Sequence, residues 1–188
     1  LVASLLPHAD PVHKISIIAR GRAGGYTLKL PFEDRRLQSR REFLDDIAMS
    51  LGGYVAEEMI FGDITTGPSN DLQVSTALAR DMVTKYGMSD KMGPIALESP
   101  VGKPLFGLGV GDKEYSEQVG SEIDAEVSRV MIEAMKRAEK IIKDHRKVLN
   151  AIANRLIEAE TIEQKEFENI LVAYGIAPKK KKDIEHQM

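Results

Sequence analysis

Three carboxylates and the polar loop between them carry the most chemical promise in this sequence. Glu57 and Glu58 close the run Leu51-Gly52-Gly53-Tyr54-Val55-Ala56-Glu57-Glu58. Asp71 closes the run Phe61-Gly62-Asp63-Ile64-Thr65-Thr66-Gly67-Pro68-Ser69-Asn70-Asp71. The pattern reads as the end of one helix, a tight polar loop, and a carboxylate delivered at the start of the next helix. Asp71, like Ser69 and Asn70, suits an N-cap or first-turn position stabilised by the helix dipole. The other reading is a functional carboxylate presented by that helix start; periodicity alone favours the cap. Projected at about 100° per residue, Glu58 falls within the apolar stripe of its helix and Glu57 points away. A carboxylate on a core-facing stripe needs a cation, a histidine or a cluster of donors beside it. A position at the surface margin is the ordinary alternative for Glu58, and both stand open.

The four histidines, His8, His13, His145 and His186, add little. His8 and His13 flank Asp10-Pro11, where proline prevents a continuous helix, so they do not share one helical face as a ligand pair would. His145 lies near a helix end in a charged segment, and His186 in the tail. The chain contains no His-Glu-x-x-His, no Walker glycine loop and no nucleophile elbow. Gly21-Arg22-Ala23-Gly24-Gly25 is followed by no helix and is not a phosphate-binding fingerprint.

The elements that must position these residues can be read from periodicity and punctuation. Ile15, Ile17 and Ile18, then Tyr26, Leu28 and Leu30, form two short β-type runs separated by the glycine turn at 21–25, a small sheet or hairpin. Ser39 with Glu42 is a capping box that opens a helix. Its stripe is Leu44, Ile47, Ala48, Leu51, Val55 and Met59, interrupted by Gly52 and Gly53. Each glycine costs about 1 kcal/mol relative to alanine, so a neighbouring backbone passing close is the expected compensation. A second helix follows the Gly67-Pro68 break and closes at Gly87. Residues 98–114, rich in glycine and proline, read as a mobile connection. Ser116 opens a long amphipathic helix with the stripe Val119, Ile123, Val127, Val130, Ala134, Ala138 and Ile141. The pattern bends near His145 and continues through Val148, Leu149, Ile152, Ala153 and Leu156. Thr161 with Gln164 reads as another capping box, opening a short helix through Phe167, Ile170 and Leu171 to Gly175. The fold class is therefore α+β, mainly α-helical, with the sheet near the N-terminus and a helical bundle after it.

Composition sets wide bounds. Of 188 residues, 43% are hydrophobic and 29% charged, as in ordinary globular proteins. With no cysteine there is no disulfide framework and no thiolate site. A net charge of −3 gives no general case for nucleic acid. No apolar run approaches a membrane span, and the basic block from Lys179 to Lys182 reads as part of a solvated tail over 177–188. The opening stretch Leu1-Val2-Ala3-Ser4-Leu5-Leu6 has no cap before it and reads as the tail of a helix that begins earlier.

Taken in order, these motifs resemble the peptidase domain of the FtsH family of ATP-dependent zinc proteases. Pro11-Val12-His13-Lys14-Ile15-Ser16-Ile17-Ile18, Arg20-Gly21-Arg22-Ala23, Gly25-Tyr26-Thr27 and Leu30-Pro31 resemble its β region. Leu51-Gly52-Gly53, Ala56-Glu57-Glu58, Phe61-Gly62 and Thr66-Gly67 with Ser69-Asn70-Asp71-Leu72 resemble its central helices. Ala79-Arg80-Asp81-Met82-Val83, Gly87-Met88-Ser89 and Gly93-Pro94 continue the likeness over essentially the whole chain. The resemblance implies a metallopeptidase core over residues 1–97 and a helical continuation of the same domain over 115–176. It makes Asp71 a zinc ligand, with Glu57, or failing it Glu58, orienting a ligand histidine. The histidine pair and catalytic glutamate are expected just before Leu1, so no catalytic residue is assigned within the chain.

The resemblance further implies that Tyr26, Thr27 and Leu28 form a sheet edge for an extended substrate. Zinc is the implied cofactor, with ATP bound in an upstream module. The implied partners are a homo-hexamer, unfolded protein substrates, and a membrane reached through upstream segments, with no nucleic acid. The location would be the cytoplasmic face of the bacterial inner membrane or an organellar equivalent. A polypeptide without the histidine pair is expected to be inactive alone. The competing reading is a non-catalytic oligomerisation or adaptor module that keeps the fold.

Overall fold

The computed structural model describes residues 1–19, 24–31, 37–97 and 115–179. The expected turn at 21–23, the Arg20–Ala23 motif, the connection at 98–114, and the tail beyond Lys179 with His186 lie outside the described residues. The chain is α+β and mainly helical, as its periodicity predicts. A short α1 (Val2–Leu5) leads into β1 (Val12–Ser16) and β2 (Tyr26–Lys29). Then come α2 (Arg40–Ser50), α3 (Gly52–Phe61) and α4 (Ser69–Thr84), followed by the long α5 (Glu117–Asp144) and α6 (Arg146–Ala159). A third strand, β3 (Thr161–Glu163), and α7 (Gln164–Ala173) complete the order.

The sheet has the order β2-β1-β3, with both pairings antiparallel. The hairpin was legible in the sequence; the third strand was not. Thr161 does not cap a helix. Its backbone joins the ladder opposite Ser16, Ile162 stands opposite Ile15, and α7 begins only at Gln164 with Glu163 as its N-cap residue. Ile162 is fully buried by this pairing, and removing its side chain from water stabilises by roughly 1.5–3 kcal/mol, more than a helix cap of about 1 kcal/mol. A turn at Glu160 makes the approach possible. It is the one non-glycine residue with positive φ among the described residues (φ 58°), and its carbonyl accepts from Ile17 N at 2.9 Å.

The capping box at Ser39 and Glu42 forms in both directions, and Ser116 accepts from Val119 N to open α5. The anticipated helix through Gly52 and Gly53 is two helices that break at Leu51. A Cβ on Gly52 would lie 3.1 Å from Val2 Cγ2, so α1 passes close there through a side chain rather than its backbone. Gly53 has open space where a Cβ would stand.

The core is assembled around α5, whose Ile123, Val127, Val130, Ala134, Ala138 and Ile142 are buried against α2, α3 and α4. Ile142 takes the inward place that the sequence pattern gave to Ile141. The bend at His145 separates α5 from α6, as expected. Two buried carboxylates interrupt this apolar packing. Glu126 accepts from Ser89 Oγ at 2.6 Å and from Arg129 Nε and Nη2, both at 2.8 Å. Those bonds, led by the guanidinium, hold its carboxyl below the usual range against the opposing effect of burial.

Asp45, only 1% exposed, accepts from Arg137 at 2.5 Å and from the backbone N–H of His8 at 2.8 Å. It thereby ties α2 to α5 and to the turn after α1. Replacing Asp45 by alanine leaves the His8 amide and the Arg137 guanidinium without their acceptor. The expected loss is about 3 kcal/mol in chemical denaturation. A loss below about 0.5 kcal/mol would show that the carboxylate organises nothing.

Candidate functional site

The loop between α3 and α4 is built around Glu57. The last turn of α3 ends at Gly62, which adopts left-handed φ 67° while its N–H donates to the Glu58 carbonyl at 3.0 Å. Glu57, half-buried one turn back, receives the loop. Its carboxylate accepts from Thr65 N at 3.0 Å and from Thr65 Oγ1 at 3.1 Å. Thr65 Oγ1 in turn accepts from Gly67 N at 3.0 Å. A Cβ on Gly67 would lie 3.2 Å from both Glu57 Oε1 and Thr65 Oγ1, so glycine keeps this junction tight. Pro68 is buried at the N-cap position, where its fixed φ suits a helix start, and Leu72 N donates to its carbonyl at 2.9 Å.

Asp71 follows as the acidic residue in the first turn of α4, with an exposed side chain. It is not the N-cap, since Pro68 occupies that place. The helix dipole still favours its charge, and nothing covers the carboxylate. Glu58 is exposed, contrary to the helical projection that set it on the buried stripe. The break at Leu51 restarts the helix, and Val55 is the one fully buried residue in α3. Thr65 and Gly67 are the residues that sequence reasoning left without a role. Their signal was the Thr-Thr-Gly-Pro run, which marks a turn without revealing that a carboxylate eight positions back organises it.

Neither His8 nor His13 is brought to this loop. His8 lines a cleft with Asp10, Phe43, Asp46 and Tyr86, whereas His13 lines a groove with Leu28, Leu30 and Glu163; Asp71 belongs to neither. Among the described residues no three His, Cys, Asp or Glu side chains gather to hold a metal. Zinc requires three or four donors, so one exposed carboxylate does not make a zinc site by itself.

Elsewhere, β2 pairs only with β1 among the described residues, which leaves Tyr26, Thr27 and Leu28 on a sheet edge. Thr27 and Leu28 are exposed and Tyr26 is half-buried.

The described residues thus form an α+β domain with an exposed aspartate at a helix start, just after a loop stapled by a glutamate. The family model for peptidase family M41 matches residues 1–170. Curated relatives named ATP-dependent zinc metalloprotease FtsH include one from Veillonella parvula, 46% identical over 93% of this chain and 27% of the relative. Others are those of Endomicrobium trichonymphae (45%, over 95% of this chain and 28% of the relative) and Kosmotoga olearia (48%, over 91% and 27%). The chain belongs to peptidase family M41. It spans about a quarter of the length of these relatives. No helix among the described residues is long and apolar enough to cross a membrane.

Exchanging Thr65 for valine keeps the side-chain size while removing the hydroxyl that serves both Glu57 and Gly67. The expected cost is about 1 kcal/mol in global stability. The Gly67 amide should exchange faster with solvent, and serine at the same position should restore its protection. Unchanged Gly67 exchange in the valine variant would mean that the loop is held by something other than this hydroxyl.

Proposed function

We propose that this chain is the peptidase portion of an ATP-dependent zinc metalloendopeptidase, with Asp71 as one protein ligand of the zinc. The observation that carries the reading is the placement of Asp71. It is an exposed carboxylate in the first turn of α4, just after a loop that Glu57 and Thr65 hold in one shape, in a chain of the M41 family. The names of the relatives support the class of reaction. Because the described residues gather no three-donor set, the remaining donors have to come from outside them. In this proposal the histidine pair and its glutamate stand just before Leu1 in the parent protein.

Glu57, which also fixes the loop leading to Asp71, or failing it Glu58, orients a ligand histidine. The edge strand β2, through Tyr26, Thr27 and Leu28, receives an extended substrate by main-chain hydrogen bonds. The parent is a homo-hexamer that degrades unfolded or misassembled membrane and cytosolic proteins. Its ATPase module and membrane-anchoring segments lie upstream, at the cytoplasmic face of a bacterial inner membrane or its organellar counterpart. The chain of 188 residues is inactive by itself.

Two measurements test this. The 188-residue polypeptide should contain no stoichiometric zinc and should not hydrolyse casein; metal with activity would overturn the need for outside donors. In the full-length parent, Asp71→Ala should abolish proteolysis while leaving ATP hydrolysis largely intact. Unaltered proteolysis in that variant would remove Asp71 from the site. A parent with no proteolysis at all, even before substitution, would favour a non-catalytic oligomerisation or adaptor module.

A further inference from the structure

The segment after α7 does not trail into solvent, as its basic composition leads one to expect. Gly175 turns the chain with φ 77°, Ile176 N donates to the Leu171 carbonyl at 3.0 Å, and the Ile176 side chain is buried. Three residues on, Lys179 is half-buried rather than solvated. Its Nζ donates to the carbonyl of Leu6 at 2.5 Å and to the carbonyl of Ala9. Leu6 ends α1, and its carbonyl is one of those that a short helix leaves without an internal partner. A lysine amine laid across this carbonyl and that of Ala9 in the following turn joins segments about 170 residues apart.

The turn it grips is the root of the sheet. His8 N donates to Asp45 within it, and the Pro11 carbonyl accepts from Leu30 N just past the end of β2 at 3.4 Å.

From this geometry we propose that residues 176–179 form a detachable strap, buttoned by Lys179 onto the turn between α1 and β1, whose closure stiffens the base of the sheet. Two contacts of different kinds hold the strap, one apolar at Ile176 and one polar at Lys179, and between them lie only Ala177 and Pro178. That is few interactions for a segment that bridges the two ends of the domain, so the strap opens more readily than the core it touches. Its bearing on substrate alignment rests on the reading of β2 as the substrate edge; the strap itself does not.

The charged groups around Lys179 are Asp10 in the turn, Asp45 and Asp46 on α2, and Lys29 on β2, with Arg137 of α5 paired to Asp45. Burial outweighs the three acids and lowers the Lys179 amine to about 8 from an ordinary 10.5. The sign follows from linkage. A closed strap prefers the neutral amine and an open one the charged amine, so closure gains as pH rises from 8 towards 10.5. Below 8 the amine is protonated in both states and the dependence vanishes.

Hydrogen exchange on the intact protein tests the strap. Lys179→Met should speed exchange about tenfold both in the peptide covering residues 171–179 and in the one covering the turn at 6–11, leaving the α5 core protected. Ile176→Ala, which keeps the lysine, should loosen the same two peptides. Faster exchange at the C-terminal end alone, or at neither end, would overturn the proposal. Competitive acetylation of lysines across a pH series should place the Lys179 amine near 8; a value at the ordinary 10.5 would mean that the strap is open. Loss of the strap would leave the Asp71 reading untouched, because proteolysis of the Asp71→Ala parent is scored separately.

Discussion

A carboxylate removed from water has to be met by donors, and Asp45 meets that demand with groups from two other parts of the chain. Its oxygens are served by the His8 amide and the Arg137 guanidinium. The turn leading into the sheet, the middle of α2 and the long α5 are therefore held at one point. An unpaired charge there would cost several kcal/mol, so these three segments have little freedom to slide. The apolar stripe of α5 then fills in around the fixed point, and Glu126 with Ser89 and Arg129 repeats the device further along the same helix.

The sheet carries the second long-range tie. Strand β3 comes from the far side of α6 and places the buried Ile162 beside Ile15. With β3 on one side of β1 and β2 on the other, both outer strands keep one open edge among the described residues. The centre of the sheet is thus completed by a strand about 145 residues downstream. The same economy holds at the loop after α3. A single glutamate binds one threonine twice, that threonine binds a glycine amide, and the next helix starts in one place with Asp71 in its first turn.

An exposed carboxylate at Asp71 and an open edge at β2 stand out among the described residues. Asp71 is exposed in the first turn of α4, just after the loop held by Glu57 and Thr65. The neighbouring surface is apolar as well as open, with Phe61 76% exposed and Ile60 and Ile64 exposed beside it.

Local chemistry was sufficient for a good part of this protein. The capping box at Ser39, the N-cap at Ser116, the hairpin, the bend at His145 and the stripe of α5 follow from period, side-chain oxygens and glycine placement, all of which act within a few residues. The ordered motifs also disclosed the family. What the tertiary structure decided lies where one segment's choice depends on a distant partner. Thr161 became a strand because β1 offered a ladder and a buried place for Ile162. Glu58 turned outward because the packing of α3 fully buries only Val55. Glu57 acquired a threonine, and Lys179 left the solvent for two carbonyls near the other end of the chain. None of these is encoded in a local period, because burial and hydrogen-bond satisfaction are settled by the whole fold at once. Asp71 stands between the two cases: its helix start was legible, but its exposure on a stapled loop was not.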